Sequence, residues 1–407
     1  MNNKSDIEFK YADFLKQIIA IPSYTGNEKN LAEFIKKSFM DNNISECFID
    51  GCGNIIAVLR GNGKGPDILL NGHLDTVPAG NIEEWFPYDP FKAIIDDENN
   101  LYGRGACDMK GGLAVLFFVM LHYRNLMDQG LRLPGDLIFS AVVHEEAAEM
   151  LGMEYLIEKT LPENNLRCDV VFFAEPTDGE LAIGQRGKIE LVIKTSGKTA
   201  HSSNPKEGIN ALQKMLPVMD YIFEKMPASM KSHPLFGEGT VTITDCRVLP
   251  GSLSVIPDEC EISVDRRYMP DESIESLIEE FRELFLAIQK EDTDFKAEIA
   301  PRFFDETSYT GYKKRVKKYH PPWIMDSNNR FVKKSLQALN RIGQKPSLKY
   351  WKSGCDGSYS CGIHGIPAIG YSWGNEKLVH KPKESVNINQ MIMTLEGYIE
   401  IIRELME

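Results

Sequence analysis

Five side chains of the kinds that bind metal ions are spread over most of this 407-residue chain. They are His73, Asp108, Glu146, Glu175 and His380. Short, mostly apolar runs at residues 68–70, 137–143 and 170–174 lead into three of them. Such runs, bounded by turn residues, are typical of strands in a parallel sheet that is covered on both faces. Because ligands bind outside the carboxyl ends of such strands, the sequence predicts a metal site at one sheet edge.

His73 and Asp75 lie two residues apart, so in a continuing strand their side chains point to the same side. A metal-binding histidine usually donates its second ring N–H to a carboxylate, which sets its tautomer and raises its basicity. Asp75 is a candidate for that partner. The alternative is a buried histidine that is satisfied by a neighbouring aspartate and binds no metal.

Asp108 lies in the glycine-rich stretch GRGACDMKGG at 103–112, directly before an apolar run at 113–121 that is typical of a helix. An aspartate at this place can simply cap the helix. A carboxylate can also bridge two cations through its two oxygens, and the flanking glycines let other backbone approach closely. Both interpretations are open at this point.

Glu145 and Glu146 are adjacent, so at a strand end one can face a metal while the other faces a bound water. The segment HEEAA lacks the second histidine of the HExxH motif, which excludes a helical zinc-protease site of that kind. The alternative is a favourable contact of two acids with a helix dipole. For His380, which follows the turn at 373–375, the alternative is a surface loop histidine. Four other histidines are interpreted as structural, namely His122, His233, His320 and His364.

The predicted elements divide the chain into two units. Strands, turns and helices alternate over the first 180 residues or so, which predicts an α/β fold with a mainly parallel sheet. The order then becomes βαββαβ, that of a ferredoxin-like domain. Helical spacing at 331–342 and a short strand at 368–371 resume the first pattern. We therefore predict a metal-binding α/β domain from residues 1–185 and 301–407, with an inserted domain at 186–300.

The amino-acid composition and charge of the chain argue against some classes of binding partner. Hydrophobic residues make up 43% of the chain, enough for a sizeable core. The net charge of −13, with 313–318 as the one dense basic stretch, argues against nucleic acid or an anionic membrane as partner. Residues 1–25 lack the apolar core of a signal peptide, and the run 113–121 is far shorter than the about 20 residues that span a bilayer. Eight cysteines without a CxxC pair are typical of reduced thiols in the cytoplasm.

Seven features carry a resemblance when taken in their order. They are HLDTVP at 73–78, GRGACDMKGG at 103–112, HEE at 144–146, AEPT at 174–177, KTAHSSNPKEGINA at 198–211, DRRYMP at 265–270 and His380. Together they resemble the co-catalytic dizinc amidohydrolases, which include acetylornithine deacetylase, succinyl-diaminopimelate desuccinylase, aminoacylase and glutamate carboxypeptidase. The resemblance covers nearly the whole chain. It implies a zinc-peptidase-like catalytic domain and an inserted lid and dimerisation domain.

The resemblance also implies two divalent cations, with zinc as the expected metal and cobalt or manganese as alternatives. His73 and Glu175 would hold one cation, and Glu146 and His380 the other. Asp108 would bridge the two. This grouping favours the metal-binding interpretation of these residues over the separate structural alternatives.

Two further residues of the same domain receive catalytic roles from the resemblance. Glu145 would be the general base that deprotonates a metal-bridged water and then passes the proton to the leaving amine. Asp75 would orient the imidazole of His73. Gly354, in the segment SGCDG, would belong to a loop that contacts the substrate near the metals.

The inserted domain contributes two predicted functional residues. His201 would reach the active site of a neighbouring subunit and stabilise the oxyanion that forms there. Arg267 would bind a substrate carboxylate with its bidentate guanidinium, with Arg266 as the rival for this task. Ser254 stands where many relatives carry asparagine. The stretch 307–323 resembles a subgroup of selenium-metabolism-linked hydrolases, and its basic residues at 313–318 are expected in a solvated loop.

The resulting hypothesis is a cytoplasmic, homodimeric, metal-dependent hydrolase that cleaves the C–N amide bond of an N-acyl amino acid or a small peptide-like molecule. A dipeptidase or carboxypeptidase is the alternative among enzymes. A non-catalytic, metal-dependent ligand-binding protein is the alternative from another class. Such a binder has no use for a general base, so Glu145 speaks against it.

Overall fold

The computed structural model describes residues 4–148 and 150–407. Its helices are α1 (Lys4–Ile19), α2 (Lys29–Asp41), α3 (Gly111–Asp128), α4 (Glu145–Ala148), α5 (Leu151–Tyr155), α6 (Leu161–Glu163), α7 (Ala211–Asp220), α8 (Met226–Ser229), α9 (Ile274–Glu291), α10 (Arg330–Arg341) and α11 (Ile388–Met406).

The strands run from the first helix pair to the last helix and form several sheets. They are β1 (Cys47–Ile49), β2 (Ile55–Leu59), β3 (Ile68–His73), β4 (Ile94–Ile95), β5 (Asn100–Tyr102), β6 (Leu137–Val142), β7 (Val170–Phe173), β8 (Leu181–Gln185), β9 (Gly187–Ser196), β10 (Ser232–His233), β11 (Gly237–Glu238), β12 (Thr240–Leu249), β13 (Glu259–Tyr268), β14 (Ala297–Pro301), β15 (Phe303–Thr307), β16 (Lys313–Lys317), β17 (Tyr319–His320), β18 (Trp323–Ile324), β19 (Leu348–Trp351), β20 (Ala368–Tyr371) and β21 (Ser385–Asn387).

The larger sheet has nine strands in the order β1-β2-β6-β3-β7-β20-β8-β18, with β19 also pairing with β8. Its centre, β6-β3-β7-β20, is parallel throughout. All residues of β3, β6 and β7 are buried, because both faces of the sheet are covered. The predicted α/β class with a mainly parallel sheet is confirmed.

Helix α3 is the most buried helix of this unit. Its glycine at 112 allows a close approach to the sheet, since a Cβ there would lie 2.4 Å from the carbonyl oxygen of Ala174. The stretch Ala106–Asp128, which contains α3, is long and apolar enough to cross a membrane by length and composition, and 89% of its most apolar window is buried inside the protein. Burial of this extent is the pattern of a core helix.

A second sheet is built from the middle of the chain. Its strands follow the order β12-β13-β9-β14, with β17 also on β9, and every pairing is antiparallel. With α7 and α9 between its strands, this unit has the βαββαβ order. Strand β9 alternates buried and half-buried residues because one face packs against a separate apolar core. The domain boundaries and the lid and dimerisation role of this unit stay predictions.

Helix α9 shows how the sequence builds that core. Ser273 caps the helix by accepting the backbone N–H of Ser276, and Leu277, Phe281 and Phe285 follow at four-residue spacing on the buried side. Helix α9 is therefore the second helix of the predicted βαββαβ order.

The basic stretch 313–318 is not the solvated loop that we expected. It forms β16, which pairs with β15 in a hairpin, and its side chains contact the first unit. Lys314 forms an ion pair with Glu154, and Lys318 donates to the carbonyl oxygen of Ala147. Backbone pairing with residues 303–307, which the sequence interpretation did not consider, explains the difference.

Candidate active site

Neighbouring strands of the larger sheet deliver three of the predicted ligands to one place. His73 is the last residue of β3, which lies between β6 and β7. Glu146 is in α4, directly after β6, and Glu175 follows β7 by two residues. Because parallel strands end at the same sheet edge, these side chains meet there. Asp108, from the turn before α3, and His380, from the loop before β21, complete the group.

The distances divide this group into two halves around one carboxylate. His73 Nε2 lies 3.0 Å from Asp108 Oδ1 and 3.6 Å from Glu175 Oε1. His380 Nε2 lies 3.2 Å from Asp108 Oδ2 and 2.9 Å from Glu146 Oε2. Each oxygen of Asp108 therefore faces a different imidazole. This is the pairing that the resemblance implied, with Asp108 between the two halves.

The electrostatics of the cluster fit a pair of cations. Burial raises the pKa of the carboxyl groups of Glu145, Glu146 and Glu175. Hydrogen bonds that His380 donates to the carboxylates of Asp108 and Glu146 raise its pKa to about 10. Four carboxylates thus crowd around two imidazoles. Carboxylate and imidazole donors of this number suit divalent cations.

The neighbouring carboxylates also raise the pKa of His73, the buried histidine that faces Asp108 Oδ1. Burial opposes a charge on His73, but the hydrogen bond with Asp108 and the charges of Glu175 and Glu145 outweigh it, so its pKa is raised well above the ordinary value. One donor atom each from His73, Asp108 and Glu146 lies within 4.8 Å of the others, which is close enough for a shared ion.

Asp75 holds His73 differently from the sequence prediction. The ring Nδ1 of His73 donates to the backbone carbonyl oxygen of Asp75 at 2.8 Å, while the carboxylate is 3.7 Å away. A carbonyl only accepts, so this bond leaves Nε2 free of a proton in the neutral ring and able to bind a metal. The carboxylate of Asp75 instead accepts the backbone N–H groups of Glu145 and Glu146, each at 3.0 Å, and the hydroxyl of Thr25 at 2.8 Å. It orients the segment that carries the proposed base.

Glu145 lies beside the cluster and makes none of its shortest contacts. Its Oε2 is 4.0 Å from His73 Nε2, and 11% of its side chain is exposed. Burial raises its pKa first of all, and the charges of Glu175 and Asp356 add to that effect. Glu145 is therefore a buried carboxyl group that keeps its proton to higher pH than an ordinary surface glutamate.

A cavity of about 500 Å³ opens directly onto these residues. Its lining includes four of the predicted ligands together with Glu145, and on the other side Tyr350, Trp351, Lys352 and Gly354. A Cβ at position 354 would lie 1.9 Å from the ring Nδ1 of His320, so only glycine fits there. The structure thus brings Gly354 to the cavity. His320, interpreted as structural, packs beneath that loop.

Two predicted residues do not line this cavity within the single chain. His201 is exposed, and its Nδ1 lies 2.8 Å from the hydroxyl of Ser203. Arg267 is on β13 and forms an ion pair with Asp265 at 2.8 Å. Its rival Arg266 is buried and ion-paired with Glu272 at 3.0 Å, so it is not available to a substrate. The roles of His201 and Arg267 stay predictions.

Sequence reasoning missed the residues that hold the ligands in place. Thr25 and Glu384 contact the site through hydrogen bonds to Asp75 and to the loop of Asp108. Glu384 had one visible signal, an acid four residues after His380, but nothing in the sequence indicates its partner. Lys352 was also missed, because a lysine after a strand is usually a surface residue.

Residues 69–404 match the model of the peptidase family M20/M25/M40. YgeY of Escherichia coli (strain K12) is 29% identical over 403 residues, which is 98% of this chain and 96% of that protein. Succinyl-diaminopimelate desuccinylase of Nautilia profundicola is 24% identical over 403 residues, 96% of this chain and 98% of that protein.

Solved structures share the fold. A tripeptidase from Staphylococcus aureus superposes with a TM-score of 0.74 at 21% identity, covering 98% of each chain. The YXEP protein of Bacillus subtilis, described as a dinuclear metal binding peptidase of the M20 family, gives 0.70 at 17% identity, again covering 98% of each chain. The predicted family and enzyme class are confirmed. The chain belongs to the peptidase family M20/M25/M40, a family of metal-dependent hydrolases.

Proposed function

We propose that this protein hydrolyses the C–N amide bond of an N-acyl amino acid or a small peptide-like molecule. The observation that carries the proposal is the cavity lined by Glu145, three further carboxylates of the cluster and the imidazole of His380, with His73 4.0 Å from Glu145. Such a set suits water activation and carbonyl attack better than the binding of an unreacted ligand. The desuccinylase relative removes an acyl group by its name, which supports an acylated substrate.

We propose two zinc ions as the cofactors. His73 and Glu175 would hold one, Glu146 and His380 the other, and Asp108, whose two oxygens face the two histidines, would be shared between them. When bound, such a pair lowers the pKa of a water and polarises the scissile carbonyl. The donor set of imidazoles and carboxylates fits zinc, and it also accepts cobalt or manganese.

Glu145 would move the proton. Its carboxylate takes a proton from the attacking water and delivers it to the leaving amine, so it acts first as base and then as acid. Asp75 keeps this side chain aimed at the cavity because it accepts the backbone N–H groups of both Glu145 and Glu146.

We propose that the substrate carries a carboxylate. Lys352 lines the cavity and forms no ion pair within the described ranges 4–148 and 150–407. Arg186 lies beside it, with Nε donating to the carbonyl oxygen of Lys352 at 3.0 Å. Burial and the nearby charge of Arg267 lower the pKa of Arg186, which places these two guanidinium groups near each other. Lys352 and the adjacent Arg186 carry positive charge beside the cavity, and we assign the substrate carboxylate to the nearby Arg267, which is paired with Asp265 in the single chain.

We also propose that the protein is a homodimer in the cytoplasm. In the part of the chain that the structure describes, the edge strand β12 pairs only with β13, and Leu249 and Leu253 beside it are 51% and 102% exposed. An exposed edge of this kind is suited to pairing with a second copy. A dimer through it would carry His201 towards the cavity of the partner. All eight cysteines are free thiols, which suits a reducing compartment.

A hydrolysis panel tests the proposal. The protein is stripped with a chelator, its metal content is measured, and zinc, cobalt or manganese is added back before assay with N-acyl amino acids, their amides, and dipeptides. We expect turnover only after metal is restored, with N-acyl amino acids preferred over their amides. Turnover by verified metal-free protein would refute the mechanism. Cleavage of dipeptides alone would favour the dipeptidase or carboxypeptidase alternative.

A further inference from the structure

Glu384 is a fully buried carboxylate four residues after His380. It directly precedes β21, which pairs with β5. Strand β5 ends just before the loop 103–108, which carries Asp108. The pairing therefore brings two segments of distant sequence side by side, one with Asp108 and one with His380. Glu384 lies between them.

The Glu384 carboxylate accepts four hydrogen bonds from the loop that carries Asp108. Oε1 accepts the backbone N–H groups of Cys107 at 2.8 Å and Asp108 at 2.9 Å. Oε2 accepts the backbone N–H of Gly105 at 3.1 Å and Nη1 of Arg104 at 2.5 Å. Four donors on one buried carboxylate leave that loop little freedom to shift.

Arg104 connects the loop of Asp108 to the segment that carries His380. Its Nη2 donates to the backbone carbonyl oxygen of His380 at 3.4 Å, and its guanidinium lies over the ring of Trp85 at 5.3 Å. The ion pair of Arg104 with Glu384 thus joins the backbone at Asp108 to the backbone at His380. These two residues are the ones whose side chains meet at 3.2 Å in the cluster.

We infer that Glu384 is a positioning residue that sets the spacing between Asp108 and His380 and thereby the affinity of the site for its cations. The inference rests on the proposed two-cation site. Glu384 does not itself reach the cavity lining, so it acts through the residues that it holds. Residues that orient metal ligands in this way change metal affinity by about 10–100-fold when they are replaced.

Metal titration of the apoprotein tests this inference without any substrate. Wild type and Glu384→Gln are titrated with Co²⁺, followed by visible absorption, and with Zn²⁺ in competition with a chromophoric chelator. Glutamine keeps the size but turns an N–H₂ group towards the backbone donors. We expect two equivalents in the wild type, and in the variant at least one equivalent bound about tenfold or more weakly. Binding of both equivalents with wild-type affinity would overturn the inference.

Asp50 offers a matched control. Its carboxylate also accepts three backbone N–H groups, from Cys52, Gly53 and Asn54 at 2.9, 2.9 and 3.0 Å, but it contacts no predicted ligand. Asp50→Asn should lower the melting temperature of the apoprotein and leave both metal affinities unchanged. If Asp50→Asn weakens metal binding as much as Glu384→Gln does, the effect is general destabilisation and the positioning role is wrong.

A second variant covers the case in which Glu384→Gln does not fold. Glu384→Asp keeps the charge and shortens the side chain by one methylene, so it cannot reach all four donors. We expect it to weaken metal binding in the same direction, and wild-type affinities would overturn the inference. A wild type that binds fewer than two cations would overturn both this inference and the proposed metal centre. A wild type that binds two but hydrolyses no substrate of the panel would refute only the proposed hydrolysis.

Discussion

Replacing Glu145 separates catalysis from metal binding. Glu145→Gln keeps the shape of the side chain but removes its ability to take up a proton. General acid–base groups contribute about 10²–10⁴-fold in rate, so we expect kcat to fall by that factor. This corresponds to about 2.7–5.4 kcal/mol of lost transition-state stabilisation.

The structure explains why the metals should remain. The nearest ligand nitrogen is 4.0 Å from Glu145 Oε2, and the hydrogen bond from its backbone N–H to Asp75 does not depend on the side chain. Metal content of Glu145→Gln should therefore equal that of the wild type. Glu146→Gln is the contrasting control, because Glu146 Oε2 lies 2.9 Å from His380 Nε2 within the cluster itself. That variant should lose metal as well as turnover.

The assay combines steady-state kinetics on the best substrate of the panel with metal analysis of the same protein samples. If Glu145→Gln keeps more than a tenth of the wild-type kcat, the general-base role is refuted. If it loses metal to the same extent as Glu146→Gln, then Glu145 is a ligand and the division of roles is wrong.

Two further predictions concern the inserted unit. His201→Ala should keep the wild-type metal content and lose at least about tenfold in kcat, since it would remove one oxyanion contact; equal kcat in both forms would exclude that role. Arg267→Ala should raise KM most for substrates that carry a carboxylate, because a charged partner is lost. The check compares each N-acyl amino acid with its amide, and a uniform change in KM would show that Arg267 does not bind the carboxylate.

Local patterns in the sequence were sufficient for the core of the site. Parallel strands that are buried on both faces are mostly apolar, so β3, β6 and β7 are visible as short, mostly apolar runs. Packing in the core does not explain a polar residue at the end of such a run, so that residue is a candidate for a functional role. Since parallel strands end at one edge, His73, Glu146 and Glu175 could be placed together without coordinates. The family motifs then supplied Asp108 and His380, which no strand pattern would have joined to them.

Contacts between distant segments could not be predicted in this way. The two-residue spacing of His73 and Asp75 predicted a common side, but only the structure showed that the imidazole meets the backbone oxygen rather than the carboxylate. Likewise, Arg266 and Arg267 are equivalent in the sequence. Their strand β13 buries the first against Glu272 and leaves the second partly exposed, because successive side chains point to opposite faces.

The amino-acid sequence by itself thus determined the α/β class, the family and the residue types at the candidate metal site, since these follow from local periodicity and from short motifs. Only the tertiary structure decided which groups hold those residues. The hydrogen bonds that Glu384 accepts from the loop of Asp108 join positions 276 to 280 residues apart. Such a bond depends on the packing of β5 against β21, and no local pattern in the chain encodes it.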